Sequence, residues 1–336
     1  MADASTRHCY IVEYFDQAAA MNRRYSLLYW PGDSSVEMYD LKTKRMFLKR
    51  CPYPSLTLRD LFVGATVTVF GRSLKIVDFG DEHTRRLNVT VSERAILVIG
   101  GSSLYKVGSL ITQIMTCDVR VHNIRLCHFG DATQTALKCP HARVYVIEVI
   151  GGGLTSTDGK LASLASADLQ IVTDPATIDN YRYAAFVEPE CTATFRSNAV
   201  CVIKPHAVNE HAGTIVQRIL DEGFEITALG AFTLCRADAE DFLEVYEGVV
   251  PEYKGLVDHL SSGQLWAMEV HAENSVPALR AVCGPHDPEI CRVLYPDTIR
   301  SQLGADRVRN AVHCTDLPED GPLESEFFFK LLAGKA

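Results

Sequence analysis

No run of about 18 uncharged apolar residues occurs in the 336-residue chain, so no segment has the length of a membrane-crossing helix. The opening stretch MADASTRHCY lacks the basic flank and apolar core of a secretory leader. Low-complexity segments and long linkers are absent. Eleven cysteines run from Cys9 to Cys314, an odd count with no CxxC pair. They are expected to be reduced thiols of an intracellular protein, forming neither a disulfide frame nor a zinc site. Positive charge is short as well: 33 Lys and Arg against 42 Asp and Glu leave a formal net charge of −9. That balance argues against a general nucleic-acid binder. What is present is an ordinary globular composition, 47% hydrophobic and 22% charged. The length suits two or three domains of roughly 100–150 residues each.

Residues 1–92 read as a small domain of antiparallel β-strands. YSLLYW (25–30), VEMYD (36–40) and RMFLKR (45–50) are strands, separated by the turn stretches PGDSS and LKTK. VTVFGRSLKIVDFGD (67–81) is a hairpin expected to turn at Gly71-Arg72. RRYSLLYW and KTKRMFLKR are candidate basic patches, or simply solvated strand edges.

The remainder carries an internal duplication, 93–190 and 191–336. AILVIGGSSLYKVGSLITQIMTCDVRVHNI, from 95, superposes with one gap on AVCVIKPHAVNEHAGTIVQRILDEGFEITAL, from 199. Ile99 matches Ile203, Gly108 matches Gly213, Ile114 matches Ile219, and VIEV (146–149) matches AMEV (267–270). In the second copy a strand at 200–203 leads to a helix with Ile215, Val216, Ile219 and Leu220 on one face, stopped at Gly223. A strand over 224–234, helices near 237–246 and 254–260, a strand at 265–270, a helix at 275–283 and a last strand at Glu326–Phe329 follow. This order predicts α+β architecture: the small β domain, then two ferredoxin-like (βαββαβ-type) copies.

Candidate chemistry lies in the second copy. Lys204 ends the first strand in IKPHAV, where a strand-loop junction suits a phosphate-binding lysine. Arg280, Arg300 and Arg307 offer forked donors for phosphate oxygens. His313, beside such cations, is placed to accept a phosphoryl group. Thr315 and Glu324 are candidates to fix its tautomer. Each alone has an ordinary reading as a surface or packing residue. Their joint order and spacing is what points to a site.

IKP (203–205), TIR (298–300) and NAVHCTD (310–316) resemble the nucleoside diphosphate kinases, whose signature is N-x-x-H-x-S/T-D. A small β domain before two kinase-like copies, with VEMYDLKTKRMFLKR and VHCTDLPEDG, resembles a ciliary and flagellar branch of that family. The likeness spans nearly the whole chain. It is strong over 20–85 and 199–330, and weak over 130–190.

The resemblance implies that His313 takes the γ-phosphate of one nucleotide and passes it to the β-phosphate of another. It implies phosphate contacts from Lys204, Arg280 and Arg300, a tyrosine beside the phosphohistidine at Tyr246, and base stacking on Tyr253. Asn310 would contact the ribose, Thr315 and Glu324 would orient His313, and Mg²⁺ would come with ATP or another nucleotide, bridging its phosphates. It also implies a place in the cytoskeleton of the cilium, inside axonemal doublet microtubules, with tubulin and other doublet proteins as partners and neither nucleic acid nor membrane. Cys314 stands where the family has glycine, His286 where it has threonine, and the Tyr246–Tyr253 segment is short by two residues.

The first copy has no strand-one lysine and no histidine in the signature, so it is expected to be a degenerate packing partner. GGGLTSTDGKL (151–161) imitates a phosphate loop, but Leu161 stands where the hydroxyl for magnesium belongs. Three readings follow: a doublet-microtubule protein retaining a kinase site, an active kinase with no structural role, or a scaffold with an inactive site.

Overall fold

The computed structural model describes residues 7–16, 21–89, 93–117, 119–151, 154 and 160–333. Most of the 151–161 loop lies outside them. The chain divides into two compact units. One is Met1–Ser92 with Thr233–Ala239 and Ser261–Gly263, and the other is the remainder. No described helix is long and apolar enough to cross a membrane.

The first unit holds β1 (His8–Asp16), β2 (Met21–Trp30), β3 (Ser35–Asp40), β4 (Met46–Pro52), β5 (Thr66–Val69), β6 (Arg72–Phe79) and α1 (Glu82–Val89). Its sheet order is β4-β3-β2-β1-β6-β5. Sequence reading found β2 to β6 but missed β1 and α1. β1 alternates poorly because its first three residues are all buried. The β5–β6 turn is Phe70-Gly71, one residue earlier than expected, with Val69 paired to Arg72. Both turn residues have positive φ, 48° and 75°, as a two-residue hairpin matched to the strand twist requires.

The first copy follows as β7 (Glu93–Ile99), α2 (Val107–Met115), β8 (Val119–His128), α3 (Asp131–Leu137), β9 (Arg143–Gly151), β10 (Leu169–Val172) and α4 (Pro175–Arg182). The second is β11 (Ala199–Ile203), α5 (Pro205–Asp221), β12 (Glu225–Thr233), α6 (Arg236–Phe242), α7 (Tyr253–Leu260), β13 (Gln264–His271), α8 (Ser275–Cys283), α9 (Pro288–Leu294), α10 (Ile299–Leu303), β14 (Val312–Cys314) and α11 (Asp320–Glu326). All fourteen named strands pair within two sheets, and the second has eight strands in the order β10-β7-β9-β8-β12-β13-β11-β14. Each copy repeats one arrangement, its first strand flanked by its third and its last.

The last strand of the second copy is not Glu326–Phe329. That segment completes a helical tail in which Phe328 and Phe329 are buried against Phe232, with Phe328 also on Phe242. A short apolar run cannot by itself choose between strand and helix. The true last strand lies within the signature, is three residues long, and runs antiparallel to β11.

The two copies join through one continuous sheet, with Gly230 of β12 opposite Arg125 of β8. Their first helices also meet. Gly108 of α2 and Gly213 of α5, matched by the duplication, face each other. A Cβ on Gly108 would lie 2.5 Å from the Gly213 carbonyl oxygen, and one on Gly213 2.6 Å from that of Gly108. The backbones therefore approach as only glycine permits.

α5 shows why the site begins where it does. Pro205 takes the first helical position, where its missing N–H costs nothing, so the strand must turn at Lys204. Ala207, Val208, Ala212, Ile215, Val216 and Ile219 bury the inner face. Gly223, at φ 86°, ends the helix.

Candidate active site

His313 stands mid-way along β14, opposite Val202 of β11, and is only 8% exposed. Its Nε2 lies 2.8 Å from Glu324 Oε1. The other Glu324 oxygen accepts from Thr315 Oγ1 at 2.6 Å, and Thr315 Oγ1 accepts from the Val200 N–H at 2.8 Å. A carboxylate only accepts, so Nε2 carries the proton and the neutral ring keeps its lone pair on Nδ1. Nδ1 has no hydrogen-bond partner among the described residues. Phe242 closes one side of the ring edge-on, 5.0 Å between centroids. Burial pushes the His313 pKa down. The Glu324 carboxylate outweighs it, with Cys314 and Asp316 adding to the rise, so the pKa stands above the ordinary value.

His313 lines a cavity of about 290 Å³ with Lys204, Arg280, Arg300, Asn310 and Asp316. Leu243, Tyr246, Val250, Leu256 and Leu260 form an apolar wall. Lys204 is 3% exposed and donates to the Val308 carbonyl at 2.9 Å. Burial, helped by nearby Arg300, pulls its pKa down to about 7. Arg300 is 7% exposed and donates to the carbonyls of Gly284, at 2.6 Å, and Val312, at 3.0 Å. Neither cation has a carboxylate partner among the described residues. Two desolvated cations against a cavity whose described lining has one acidic side chain form a place for a polyanion.

Asp316 governs the outer edge. It accepts from Tyr246 Oη at 2.5 Å and pairs with Arg280. Burial and the Asp316 hydrogen bond push the Tyr246 hydroxyl far up, so it is a donor throughout the physiological range. Asn310 is fully buried, donates to the His286 carbonyl at 2.9 Å, and leaves its own side-chain oxygen without a partner among the described residues.

The structure thus gathers Lys204, Tyr246, Arg280, Arg300, Asn310 and His313 on one cavity, with Thr315 and Glu324 behind it. Tyr253 does not line that cavity: it opens α7, half-buried. Arg307 lies outside it, bound to Asp287 and Glu252. Cys314 is buried in a thiol cluster with Cys283, whose hydrogen bond, followed by burial, pushes its thiol far up. Sequence reasoning assigned no role to Asp316 or to the pair His206 and His259. Asp316 was visible as the last letter of the signature, and His206 as the neighbour of Lys204-Pro205.

Among its described residues the first copy has none of this. With Ile99 matched to Ile203, the register puts Gln170 where the second copy has His313. Gly100 takes the place of Lys204, and a Cβ there would lie 2.4 Å from the His141 ring.

A model described as the nucleoside diphosphate kinase 7 N-terminal PH domain matches residues 2–90, and the nucleoside diphosphate kinase model matches 197–332. The nucleoside diphosphate kinase homolog 7 of Rattus norvegicus is 35% identical over 371 aligned positions, covering 98% of this chain and 94% of the relative. That of Mus musculus gives the same figures. The chain belongs to the nucleoside diphosphate kinase homolog 7 family. The nucleoside diphosphate kinase of Aquifex aeolicus, 36% identical over 129 residues, covers 38% of the chain and 90% of that protein. In this member of the homolog 7 family the kinase model thus covers the second copy, and the N-terminal sheet domain is matched separately.

Proposed function

We propose that the second copy transfers the γ-phosphate of ATP to nucleoside diphosphates through a phosphohistidine at His313. The observation that carries this reading is the buried histidine whose Nε2 is fixed by Glu324 and whose Nδ1 is left for a cavity with two cations unmatched by carboxylates. Nδ1 would attack the γ-phosphorus. An N–P bond forms, the bond to the bridging oxygen breaks, and its electron pair stays on the departing diphosphate. Lys204 and Arg300 would stabilise that oxygen's charge, and Glu324 the charge on the phosphorylated ring. A second diphosphate reverses the step.

Mg²⁺ enters as part of the nucleotide substrate. Among the described residues lining the cavity Asp316 is the only carboxylate, and it is bound to Arg280 and Tyr246, so the lining fits a metal held by the phosphates. By family likeness Asn310 would contact the ribose, and Tyr253, which opens α7 outside the cavity, the base. The test is transfer of label from ATP to GDP by the purified chain. Labelled GTP from wild type and not from His313→Ala supports the reading; equal yields from the two would sink it.

For location, we propose that the chain sits within ciliary doublet microtubules beside tubulin. Support comes from the resemblance of its domain order to the ciliary branch, and from a first copy whose lysine and histidine positions are glycine and glutamine. Doublets from cells lacking the chain should lose a density in the lumen by electron cryomicroscopy. An unchanged lumen contradicts the proposal.

A further inference from the structure

His313 is preceded by a turn that cannot hold itself. Val312 N–H donates to the Asn310 carbonyl at 2.9 Å, across Ala311 at φ 69°. A three-residue γ-turn around a positive φ is a rare and strained form, and alanine lacks glycine's freedom there. Such a conformation persists only where neighbours over-determine it. Two contacts do so from outside. The Ala311 carbonyl accepts from the Lys204 N–H at 2.9 Å, and the Ala311 N–H donates to His206 Nε2 at 3.3 Å. The turn places Asn310 and His313 on the same cavity.

His206 is itself held. Its Nδ1 lies 2.8 Å from His259 Nε2, a bond between the start of α5 and the end of α7. The tautomers follow from the chain of contacts. A backbone N–H can only donate, so His206 Nε2 is bare and the ring's proton sits on Nδ1. His206 Nδ1–H then donates to His259 Nε2, which must be bare in turn. Either ring in its other tautomer, or charged, breaks the chain. The charged groups facing the pair are Lys204, Arg309 and Asp306, with His211 also acting on His206. Burial first, then these cations for His206, and the neighbouring ring ahead of them for His259, bring the two pKa values down to about 4 and about 3. Both rings are neutral at pH 7.

We propose that His259 and His206 form a positioning relay that fixes the Asn310–Val312 turn and so aims His313 at the phosphate. The relay rests on the phosphohistidine reading above. Neither ring touches the reacting atoms. Both act through the Ala311 amide.

The test compares full-length wild type, His259→Leu and His259→Gln in ATP-to-GDP transfer, separating kcat from KM. Leucine removes the acceptor for His206 Nδ1–H. Glutamine presents a carboxamide oxygen near the place of Nε2. Misaiming the nucleophile should lower kcat of His259→Leu about 10-fold with KM within about 2-fold, and His259→Gln should recover to within about 3-fold of wild type. His259→Leu at the wild-type rate overturns the relay while the phosphohistidine reading stands. His259→Gln as slow as His259→Leu also overturns it, pointing to packing alone. A wild type without turnover contradicts both readings together.

Discussion

Glu269→Leu is expected to lower the stability of the second unit by about 4 kcal/mol, since each stranded buried donor costs about 1 kcal/mol or more and the three hydroxyls among its six donors can rotate to lose less. Glu269 lies on β13, two residues from its end, and is fully buried. Its two oxygens accept from Thr194 N–H at 2.6 Å, Thr194 Oγ1 at 2.9 Å, Phe195 N–H at 3.1 Å, Asn198 Nδ2 at 2.5 Å, Thr227 Oγ1 at 2.6 Å and Ser325 Oγ at 2.5 Å. These donors come from the segment entering β11, from β12 and from α11. Leucine fills similar space and accepts nothing. Burial alone would raise the Glu269 pKa, but the Ser325 hydrogen bond and the Thr194, Thr227 and Phe195 donors hold it below the ordinary value. The sign follows: its contribution is full above the unfolded value of 4.5 and is lost as pH falls through the depressed folded value. Ser325 adjoins Glu324, so the same loss loosens the carboxylate that fixes His313. Thermal unfolding measures it; a melting temperature within a degree or two of wild type would falsify the assignment.

Lys204→Met should move activity and stability in opposite directions. Removing a preorganised cation from the leaving-group side is expected to lower kcat by about 10²-fold or more. Removing a buried charge without a carboxylate partner should stabilise the fold by a few kcal/mol, on the order implied by its lowered pKa. Lys204 titrates near 7 when folded against 10.5 unfolded. Below pH 7 it is charged in both states and the burial cost is full. Between those values the unfolded chain holds more protons, so wild-type stability climbs with pH. The advantage of Lys204→Met is therefore greatest below pH 7 and vanishes by about pH 10.5. A variant that is inactive and also less stable would contradict the picture of a cation waiting for a polyanion.

Much of the site was readable because its parts are local or periodic. IKP and NAVHCTD mark the end of β11 and the whole of β14, and the duplication alone pairs Gly108 with Gly213, which meet in the fold. The unread parts depend on contacts between distant segments. Nothing in the alphabet says that Asp316 will hold both Tyr246 and Arg280, or that His259, fifty-three residues from His206, will fix its tautomer. The Phe327–Phe329 run went wrong for a related reason: only the aromatic cluster with Phe232 and Phe242 decides that it is helical. The first copy's emptiness was readable as missing letters. That His141 crowds the space over Gly100 was not.

The most direct measurement is single-turnover labelling of the purified chain with [γ-³²P]ATP and Mg²⁺, wild type beside His313→Ala. Acid-labile, alkali-stable phosphate on wild type, absent from His313→Ala and discharged by GDP, is the predicted result. A folded wild type that takes up no label, or takes it up equally without His313, would contradict the phosphohistidine account.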